Sequence, residues 1–439
     1  MPAASDAPAR SRPRSRVRIV HLGLGAFHRA HQAWYLERIQ RAAPGDWGIE
    51  AYTGRGPAAA TALAAQDGVY TLVTRAAEGD TFTTIESIVS AISGAEDAAW
   101  NARLGHPDTA IITLTVTEAG YRLAPGGGLD LADPEVAADL RLLGSGEPGA
   151  PVTAPGKLVR GLRARREAGA GPLAILSCDN LAGNGEVTRT VVTELAAAVD
   201  PALAAWITQN VSFISSMVDR ITPATTAEDR ATVLAETGHH DAMPVVTEPF
   251  SEWILAGVFP AGSPDWASVG VREVTDIDPY ERRKLWLLNA AHSLLAYAGL
   301  PRGHHTVDEA FADPVLAGRV ETLWAEAAEV LPLDAAEIAA ATAALRTRFA
   351  NPRIRHHLEQ IARGGAHKLP PRVFDLMRAR RAAGLEPARE APRIALDWLA
   401  YLGRADTPGS EGDILSGTPT SEHLYRVLAP DLAPTATPT

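Results

Sequence analysis

The stretch Val17-Arg-Ile-Val-His-Leu-Gly-Leu-Gly-Ala-Phe-His-Arg-Ala-His-Gln32 decides the fold of this chain. It begins with a mainly apolar run, Val17 to Leu22, which has the length and the β-branched character of a buried strand. Gly23 and Gly25 then turn the chain into a predicted helix over residues 26–39. A strand, a glycine turn and a helix open a dinucleotide-binding fold, because the glycines let the backbone approach a pyrophosphate and the helix N-terminus offers N–H groups to it.

The residues after the turn narrow the choice of protein class. The third position of the G-x-G-x-x-G pattern is His28, so the glycines alone leave an ordinary tight turn as an alternative. The longer string Gly23-x-Gly25-Ala26-Phe27-His28-Arg-Ala-His-Gln resembles the N-terminal signature of the polyol-specific long-chain dehydrogenases, the mannitol dehydrogenase family. The resemblance implies that the five named residues of this string bind a nicotinamide dinucleotide.

The form of the cofactor depends on the end of the second predicted strand, Trp47–Thr53, which faces the adenosine ribose in such a fold. No acidic residue stands there to select NAD, since Glu50 lies within the strand. Arg55 follows the strand and suits either a 2′-phosphate or stacking on the adenine. We expect NAD because the family mostly uses it, with NADP left open. Thr117 and Glu118, which follow an apolar strand pattern, also resemble the family and are expected at the cofactor.

The length of 439 residues exceeds one ordinary hydrophobic core, so two domains are expected. Residues 1–16 read as a disordered tail and 17–275 as an α/β, Rossmann-like dinucleotide-binding domain. From residue 276 helical patterns prevail, and residues 276–425 are expected to form a mainly α-helical substrate and catalytic domain. Residues 426–439 read as a second disordered tail.

Composition limits the partners. A formal net charge of −11 argues against nucleic acid, and no apolar run approaches the ~20 residues of a membrane span. The single cysteine, Cys178, follows an apolar run and is expected to be buried rather than reactive, which favours the cytoplasm. The expected partner is a small sugar acid or polyol, and a monomer is expected because members of the family are often monomers.

Lysine usage marks candidate sites. Only three of the 41 basic residues are lysines: Lys157, Lys284 and Lys368. Arginine keeps its proton at working pH whereas a desolvated lysine can lose it, so the lysines are candidates for work that arginine cannot do. Lys157 is expected on the surface of a helix, and the other two lie within motifs.

The segment Lys284-Leu-Trp-Leu-Leu-Asn289-Ala-Ala-His292 lies early in an apolar helix predicted over 282–298. At α-helical periodicity its three polar side chains share one face, and apolar surroundings would favour the neutral amine. A solvated stripe or a capped polar pocket is the alternative interpretation. The pattern K-x4-N-x2-H resembles the family's catalytic pattern. It implies Lys284 as general acid/base, Asn289 and Asn180 as donors to the reacting oxygen, and His292 as a substrate-positioning residue.

No metal is expected, because a lysine and two amides would do what zinc does in other alcohol dehydrogenases. The clusters His239-His240-Asp241 and His304-His305 are adjacent residues rather than spaced ligand sets.

A non-catalytic binding protein on the same fold is a second hypothesis. It would require loss of the lysine or of the asparagines, and all three are present.

Four further residues resemble the family's substrate-binding positions: Asp219, Arg348, Lys368 and Arg372. Lys368-Leu-Pro-Pro-Arg372 is similar to the hexuronate reductases, and two cations there suit a carboxylate. This favours D-fructuronate and D-mannonate, with D-mannitol/D-fructose, another polyol or tagaturonate as alternatives. The family usually has Asp-Gly-Ser before the lysine, whereas this chain has Gly364-Gly-Ala-His367. Surface charge is the alternative role of the two cations.

Overall fold

The computed structural model of the chain describes residues 7–403 and 429–432. It divides into two compact units, an N-terminal unit Met1–Asp278 and a C-terminal unit Pro279–Thr439. The division lies close to the boundary expected between residues 275 and 276. Within the described residues, no helix is both long enough and apolar enough to cross a membrane.

The strands of the described residues all lie in the N-terminal unit. They are β1 Val17–Leu22, β2 Gly48–Tyr52, β3 Tyr70–Arg75, β4 Asp80–Ile85, β5 Ile88–Ile92, β6 Ile111–Leu114, β7 Leu173–Ser177, β8 Val211–Asp219, β9 Val245–Thr247, β10 Glu252–Ala256 and β11 Arg272–Val274.

Eight strands form the central sheet in the order β5-β2-β1-β6-β7-β8-β10-β11. Every neighbouring pair is parallel except β8 and β10, which are antiparallel. The sequence order reverses at β1, which lies between β2 and β6, and this reversal marks the ligand-binding crevice of a Rossmann fold. The predicted α/β Rossmann-type domain is confirmed.

A small second sheet has the order β4-β3-β9. The β3 and β4 strands are antiparallel. The chain breaks between β4 and β5, and β5 joins the central sheet beside β2. The two consecutive strands β4 and β5 therefore belong to different sheets.

The helices of the N-terminal unit are α1 Ala26–Ala30, α2 Gln32–Ala42, α3 Ala58–Ala64, α4 Asp97–Leu104, α5 Pro134–Ser145, α6 Ala154–Ala168, α7 Asn184–Val199, α8 Pro201–Asn210 and α9 Ala227–Thr237. Those of the C-terminal unit are α10 Asp278–Arg283 (its first residue in the N-terminal unit), α11 Ala290–Gly299, α12 Val307–Ala312, α13 Pro314–Ala328, α14 Ala335–Phe349, α15 Leu358–Ala362, α16 Gly365–Leu369, α17 Asp375–Ala382 and α18 Glu390–Leu402.

Alternation along β1 builds two cores. Ile19 packs into one apolar cluster, whereas Val20 and Leu22 pack into another on the opposite face of the sheet. Burial on both faces explains the near-continuous apolar character of the parallel strands.

The C-terminal unit has its core around α11, in which all ten residues are buried. A helix that is apolar all round must be enclosed by other helices, and α13, α15 and α18 pack against it. The predicted α-helical C-terminal domain is confirmed.

The two segments expected to be disordered tails form hydrogen bonds with the rest of the chain where the structure describes them. Arg10 donates to the carbonyls of Asp67 and Ile88 at 2.7 and 2.8 Å, and Ser11 donates to Glu86 at 2.6 Å. Near the other end, Asp431 accepts hydrogen bonds from Arg378 at 2.8 and 3.0 Å. Charged side chains therefore bind these short segments to the two units, and the rest of 426–439 lies outside the described residues.

Candidate active site

The glycine turn after β1 is held by the strands on either side of it. The N–H groups of Gly23 and Leu24 both donate to the carbonyl of Tyr52 at 2.9 Å. Gly23 has φ +110°, and a Cβ atom there would lie 2.1 Å from the carbonyl oxygen of Thr115. Only glycine fits, because both the backbone conformation and the space exclude a side chain.

Gly25 differs from Gly23 in both respects. It is exposed, its φ is −127°, and a Cβ atom would come no closer than 3.5 Å to another group. The protein itself would accept a side chain at this position. Its backbone is therefore open to a ligand, which is the use that a dinucleotide-binding turn makes of its second glycine.

A cavity of about 430 Å³ lies at the carboxyl ends of β1, β2 and β6. Its lining is Leu22, Gly23, Leu24, Gly54, Arg55, Thr115, Val116, Thr117, Ala119, Gly120, Arg122, Val152, Thr153, Ala154 and Lys157. Three of these residues are cationic and none is acidic. A glycine turn that excludes a Cβ atom, beside a cationic cavity at the strand reversal, fits a dinucleotide.

The predicted cofactor residues divide into two groups. Gly23, Arg55 and Thr117 line this cavity. Gly25, Ala26, Phe27 and Glu118 lie outside its lining, and their contact with a cofactor stays a prediction.

The ring of His28 packs inside the protein. It is fully buried and stacks on His21 of β1, with ring centroids 3.3 Å apart and planes 7° apart. Contact between His28 and a cofactor stays a prediction. The sequence after the turn also forms two helices rather than one, since the backbone at His31 departs from helical geometry between α1 and α2.

The His21 ring is fixed by two threonines. Its Nδ1 lies 2.8 Å from the hydroxyl of Thr113, and its Nε2 lies 3.1 Å from that of Thr115. The Thr115 hydroxyl donates to the carbonyl of Gly23 at 2.8 Å, so it accepts from Nε2–H. Burial lowers the pKa of His21 to about 3 and that of His28 well below its usual value. Two neutral rings therefore support the glycine turn from behind.

Lys157 is buried rather than on a helix surface as expected. It lies in the first turn of α6, lines the cavity, and donates from Nζ to the carbonyl of Gly94 at 2.5 Å. Burial lowers its pKa, opposed by Asp139 and Asp97. The partner of this lysine, Gly94, lies 63 residues away in the loop after β5, so no local sequence pattern could show the contact.

Asp179 is a residue that sequence reasoning missed. Its carboxylate accepts from the N–H groups of Val116 and Thr117 at 3.0 and 2.8 Å, and from the hydroxyl of Tyr121 at 2.7 Å. Thr117 has φ +68°, a conformation that a β-branched residue rarely adopts. Asp179 thus stabilises a strained turn in the cavity wall. Its position in Ser-Cys-Asp-Asn, at the end of a buried strand, was the available signal.

Two predicted substrate residues follow neighbouring parallel strands. Asn180 comes after β7 and is exposed, and Asp219 is buried at the end of β8. Because carboxyl ends of parallel strands share one edge of a sheet, both lie at the edge that carries the glycine turn.

In the C-terminal unit, Lys284–Asn289 is π-helical rather than α-helical. Its hydrogen bonds join residues i and i+5, so side chains five positions apart lie about one turn apart. The expectation of an uninterrupted α-helix over 282–298 is wrong, and the wider turn brings Lys284 and Asn289 to one side of the helix. Such turns are frequent at functional sites.

Asn289 and His292 are buried, and each has a polar atom without a partner among the described residues. These atoms are Oδ1 of Asn289 and Nε2 of His292. A buried amide oxygen and a buried ring nitrogen normally find partners, so both are candidates for binding a ligand.

Cations surround His292. Its pKa is held well below the usual value by burial first and then by His356, Arg348, Arg372 and Lys284. Burial, Arg348, His357 and Lys368 lower the pKa of His356 to about 4. The predicted residues of this unit therefore lie in one basic cluster.

Two contacts order this cluster. Arg372 lies in a second π-helical segment, Pro370–Phe374, and donates from Nη1 to the carbonyl of Asn289 at 3.3 Å and to the hydroxyl of Ser293 at 3.2 Å. His356, which sequence reasoning missed, packs edge to face with His292, their centroids 4.8 Å apart. Only its position shortly after Arg348 and Asn351 in the sequence could have indicated it.

Among residues 7–403 and 429–432, no group of three or more His, Cys, Asp or Glu side chains is arranged to hold a metal ion. Cys178 is buried, and burial raises the pKa of its thiol, which agrees with the structural role expected of it.

The comparisons with known proteins agree with both units. Residues 17–268 match the family model of the mannitol dehydrogenase Rossmann domain, and residues 276–425 match that of the mannitol dehydrogenase C-terminal domain. The D-mannonate oxidoreductase of Escherichia coli (strain K12) is 38% identical over 93% of this chain and 84% of its own length. The mannitol 2-dehydrogenase of Cereibacter sphaeroides is 36% identical over 89% of this chain and 82% of its own.

A solved structure extends the likeness to three dimensions. The mannitol 2-dehydrogenase of Pseudomonas fluorescens, in ternary complex with NAD and D-mannitol, has a TM-score of 0.80 and 33% identity, covering 93% of this chain and 84% of that one. Fold and site define a nicotinamide-dependent oxidoreductase that acts on secondary alcohols of polyols or sugar acids. The chain belongs to the mannitol dehydrogenase family.

Alanine at the two glycines should separate folding from cofactor binding. Gly23→Ala should destabilise the chain by at least about 2 kcal/mol, because the Cβ atom strains the backbone and meets a carbonyl. Gly25→Ala should unfold with the wild-type midpoint but bind NADH more weakly, as measured by urea titration and nucleotide fluorescence. Equal stability of the two variants would contradict the geometry of the turn.

The buried His21 should make stability depend on pH. The folded state keeps this ring neutral down to about pH 3, whereas the unfolded ring binds a proton below its ordinary value of 6.5. Unfolding therefore takes up a proton between these values, and stability falls as the pH is lowered through them.

For this one group, the free energy of unfolding should drop by about 2 kcal/mol between pH 7 and pH 5. The pH dependence of His21→Asn should be weaker by that amount in urea titrations at the two pH values. The matched control is His240→Asn at an exposed position, which should behave as the wild type. If His21→Asn keeps the full pH dependence, the ring is not held neutral.

Proposed function

We propose that this chain interconverts a keto sugar acid and its hydroxy acid, with D-fructuronate and D-mannonate as the substrate pair and NAD(H) as the cofactor. The observation that carries the proposal is the basic cluster of the C-terminal unit. Lys284, Arg348 and Arg372 act on His292, and Arg348 and Lys368 act on His356. Four cations around two neutral rings favour an anionic substrate over a neutral one.

In this mechanism Lys284 moves the proton. During oxidation its amine takes the proton of the substrate hydroxyl, and during reduction its ammonium returns that proton to the carbonyl oxygen. Among the four cations of the cluster only a lysine can lose its proton at working pH, because arginine keeps its proton. The half-buried position of Lys284, one wide turn from Asn289, suits this role.

The remaining residues orient the substrate. The amide of Asn289 donates to the reacting oxygen, and Asn180 is the second donor, so charge that develops on this oxygen is stabilised. His292 is neutral and offers Nε2 to a substrate hydroxyl. When bound, the nicotinamide ring supplies or accepts the hydride directly. Asp219 is proposed as an acceptor for a substrate hydroxyl.

Lys368 and Arg372 are proposed to bind the carboxylate. The sequence likeness of Lys368-Leu-Pro-Pro-Arg372 to the hexuronate reductases supports this, as does the 38% identity to a D-mannonate oxidoreductase. Monomeric state and cytoplasmic location remain predictions.

A neutral polyol is the second candidate, with mannitol 2-dehydrogenase activity. Two observations favour it. Lys368 donates from Nζ to the carbonyl of Ile361 at 3.1 Å, and Arg372 braces Asn289 and Ser293, so both cations have structural contacts. Mannitol 2-dehydrogenases are also among the relatives, at 36% identity for the one from Cereibacter sphaeroides.

Lys284→Ala should strongly reduce turnover while NADH binding persists. Loss of the general acid/base should lower kcat by about 10²- to 10⁴-fold, whereas NADH fluorescence should still titrate normally. Arg282→Ala removes an exposed cation two positions earlier and should keep wild-type kcat. Near-normal turnover of Lys284→Ala at neutral pH would refute the assigned role.

Lys368→Ala or Arg372→Ala should raise KM for D-fructuronate about tenfold or more, since each removes a charge-assisted hydrogen bond. The KM for D-fructose should change far less. Because Arg372 also braces the helix, the informative quantity is the ratio of kcat/KM for the two substrates. Arg355→Ala, at an exposed position, is the control. Equal losses on both substrates would favour the neutral polyol.

A further inference from the structure

The first feature that bears on cofactor choice is the part of the cavity at the end of β2. The β2 strand ends at Tyr52, and Thr53, Gly54 and Arg55 follow it. In a Rossmann fold this position contacts the adenosine ribose, where an acidic side chain accepts from the 2′-hydroxyl and excludes a 2′-phosphate. The residues that line the cavity include no acid.

The acid nearest in sequence, Glu50, is engaged elsewhere. It is buried within β2, where its two carboxylate oxygens accept from Arg103 at 2.9 and 3.2 Å and from the hydroxyl of Tyr52 at 2.7 Å. A bidentate pair of this kind fixes the carboxylate. Glu50 therefore cannot turn toward the ribose without leaving the half-buried Arg103 unpaired.

A lysine lies where an acid would exclude the phosphate. Gly94 packs against the end of β2, since its N–H donates to the Thr53 hydroxyl at 3.0 Å and a Cβ atom there would lie 2.0 Å from the Thr53 carbonyl oxygen. The ammonium of Lys157 donates to the Gly94 carbonyl at 2.5 Å. An ammonium has three donors, so this contact leaves donors that can reach a ligand at the end of β2.

The carboxylates near Lys157 already have partners. Asp139 accepts from the N–H groups of Val152 and Thr153 at 2.8 Å, and Asp97 accepts from Arg160 at 3.1 Å. Neither carboxylate belongs to the cavity lining.

Arg55 supplies a second cation on the open side. Its side chain is 78% exposed and lies 3.7 Å from Glu135, which is also bound by Arg122. An exposed pair at this distance is weak, so the guanidinium can reorient toward a phosphate at little cost. Arginine and lysine then offer a planar fork and a point charge to the same anion.

We propose that Arg55 and Lys157 bind the 2′-phosphate of an adenosine ribose at the end of β2, so that the chain accepts NADP(H) as well as NAD(H). The inference rests on the dinucleotide site of the proposed function and adds a specificity determinant to it. A chain that selected NAD alone would need a carboxylate where these two cations lie.

Binding of nucleotide fragments to the full chain tests the proposal without turnover. Calorimetry compares adenosine 2′,5′-bisphosphate with 5′-AMP, and nucleotide fluorescence compares NADPH with NADH. The wild type should bind the bisphosphate more tightly than AMP, and its Kd for NADPH should lie within about tenfold of that for NADH.

Arg55→Ala should weaken bisphosphate and NADPH binding about tenfold and change AMP and NADH binding less than about twofold. Arg55→Asp should shift the preference further toward NADH. Lys157→Met should act in the same direction, with thermal melting as the check on folding because this side chain is buried. Arg230→Ala, at an exposed position in α9, should leave all four affinities unchanged.

Two results would overturn the inference. One is NADPH binding more than about a hundredfold weaker than NADH in the wild type, and the other is an equal loss for both nucleotides in Arg55→Ala. Either result leaves the proposed oxidoreductase intact, because NADH still binds. Failure of both NADH and NADPH to bind would instead refute the proposed cofactor site itself.

Discussion

The approach of Gly23 to the Thr115 carbonyl is the constraint on which the N-terminal unit depends. The turn is pinned from one side by Tyr52 at the end of β2 and from the other by Thr115 after β6, with no space for a Cβ atom. This closeness brings the ends of three strands together. The cavity, the strained turn at Thr117 and the cationic residues of the cavity lining all lie at that edge.

Lysine and arginine have different roles in this chain. Arg165 is fully buried and donates to five backbone carbonyls, those of Leu104, His106, Ala170, Gly171 and Pro172. A rigid fork with five donors suits such bracing. The three lysines lie elsewhere: Lys157 lines the cavity, and Lys284 and Lys368 lie in the basic cluster. In a chain so rich in arginine, a lysine therefore indicates a place where a compact charge or a removable proton matters.

The sequence predicted the features that depend on local pattern. The apolar run before Gly23 gave β1, and the change to helical periodicity near residue 276 gave the second unit. The spacing of Lys284, Asn289 and His292 gave residues that the structure gathers in one cluster. The predictions that failed depend on contacts between residues that are far apart in the sequence. The burial of Lys157 depends on Gly94, and the helix break at His31 coincides with contacts between His31 and the distant Glu252 and Trp253.

The wide turn at Lys284–Asn289 brings two predicted site residues closer together than α-helical periodicity alone predicts. At α-helical geometry, five residues separate two side chains by about 140°, so Lys284 and Asn289 would lie at opposite margins of one helix face. A π-helical turn removes most of that angle but interrupts the regular α-helical hydrogen bonds. Such turns therefore persist only where packing supports them. Here the Trp286 indole donates to the Pro371 carbonyl at 3.2 Å, and Arg372 donates to the carbonyl of Asn289. The two π-helical segments thus stabilise each other. Tertiary contacts therefore maintain the distortion that brings Lys284 and Asn289 to one side of the helix.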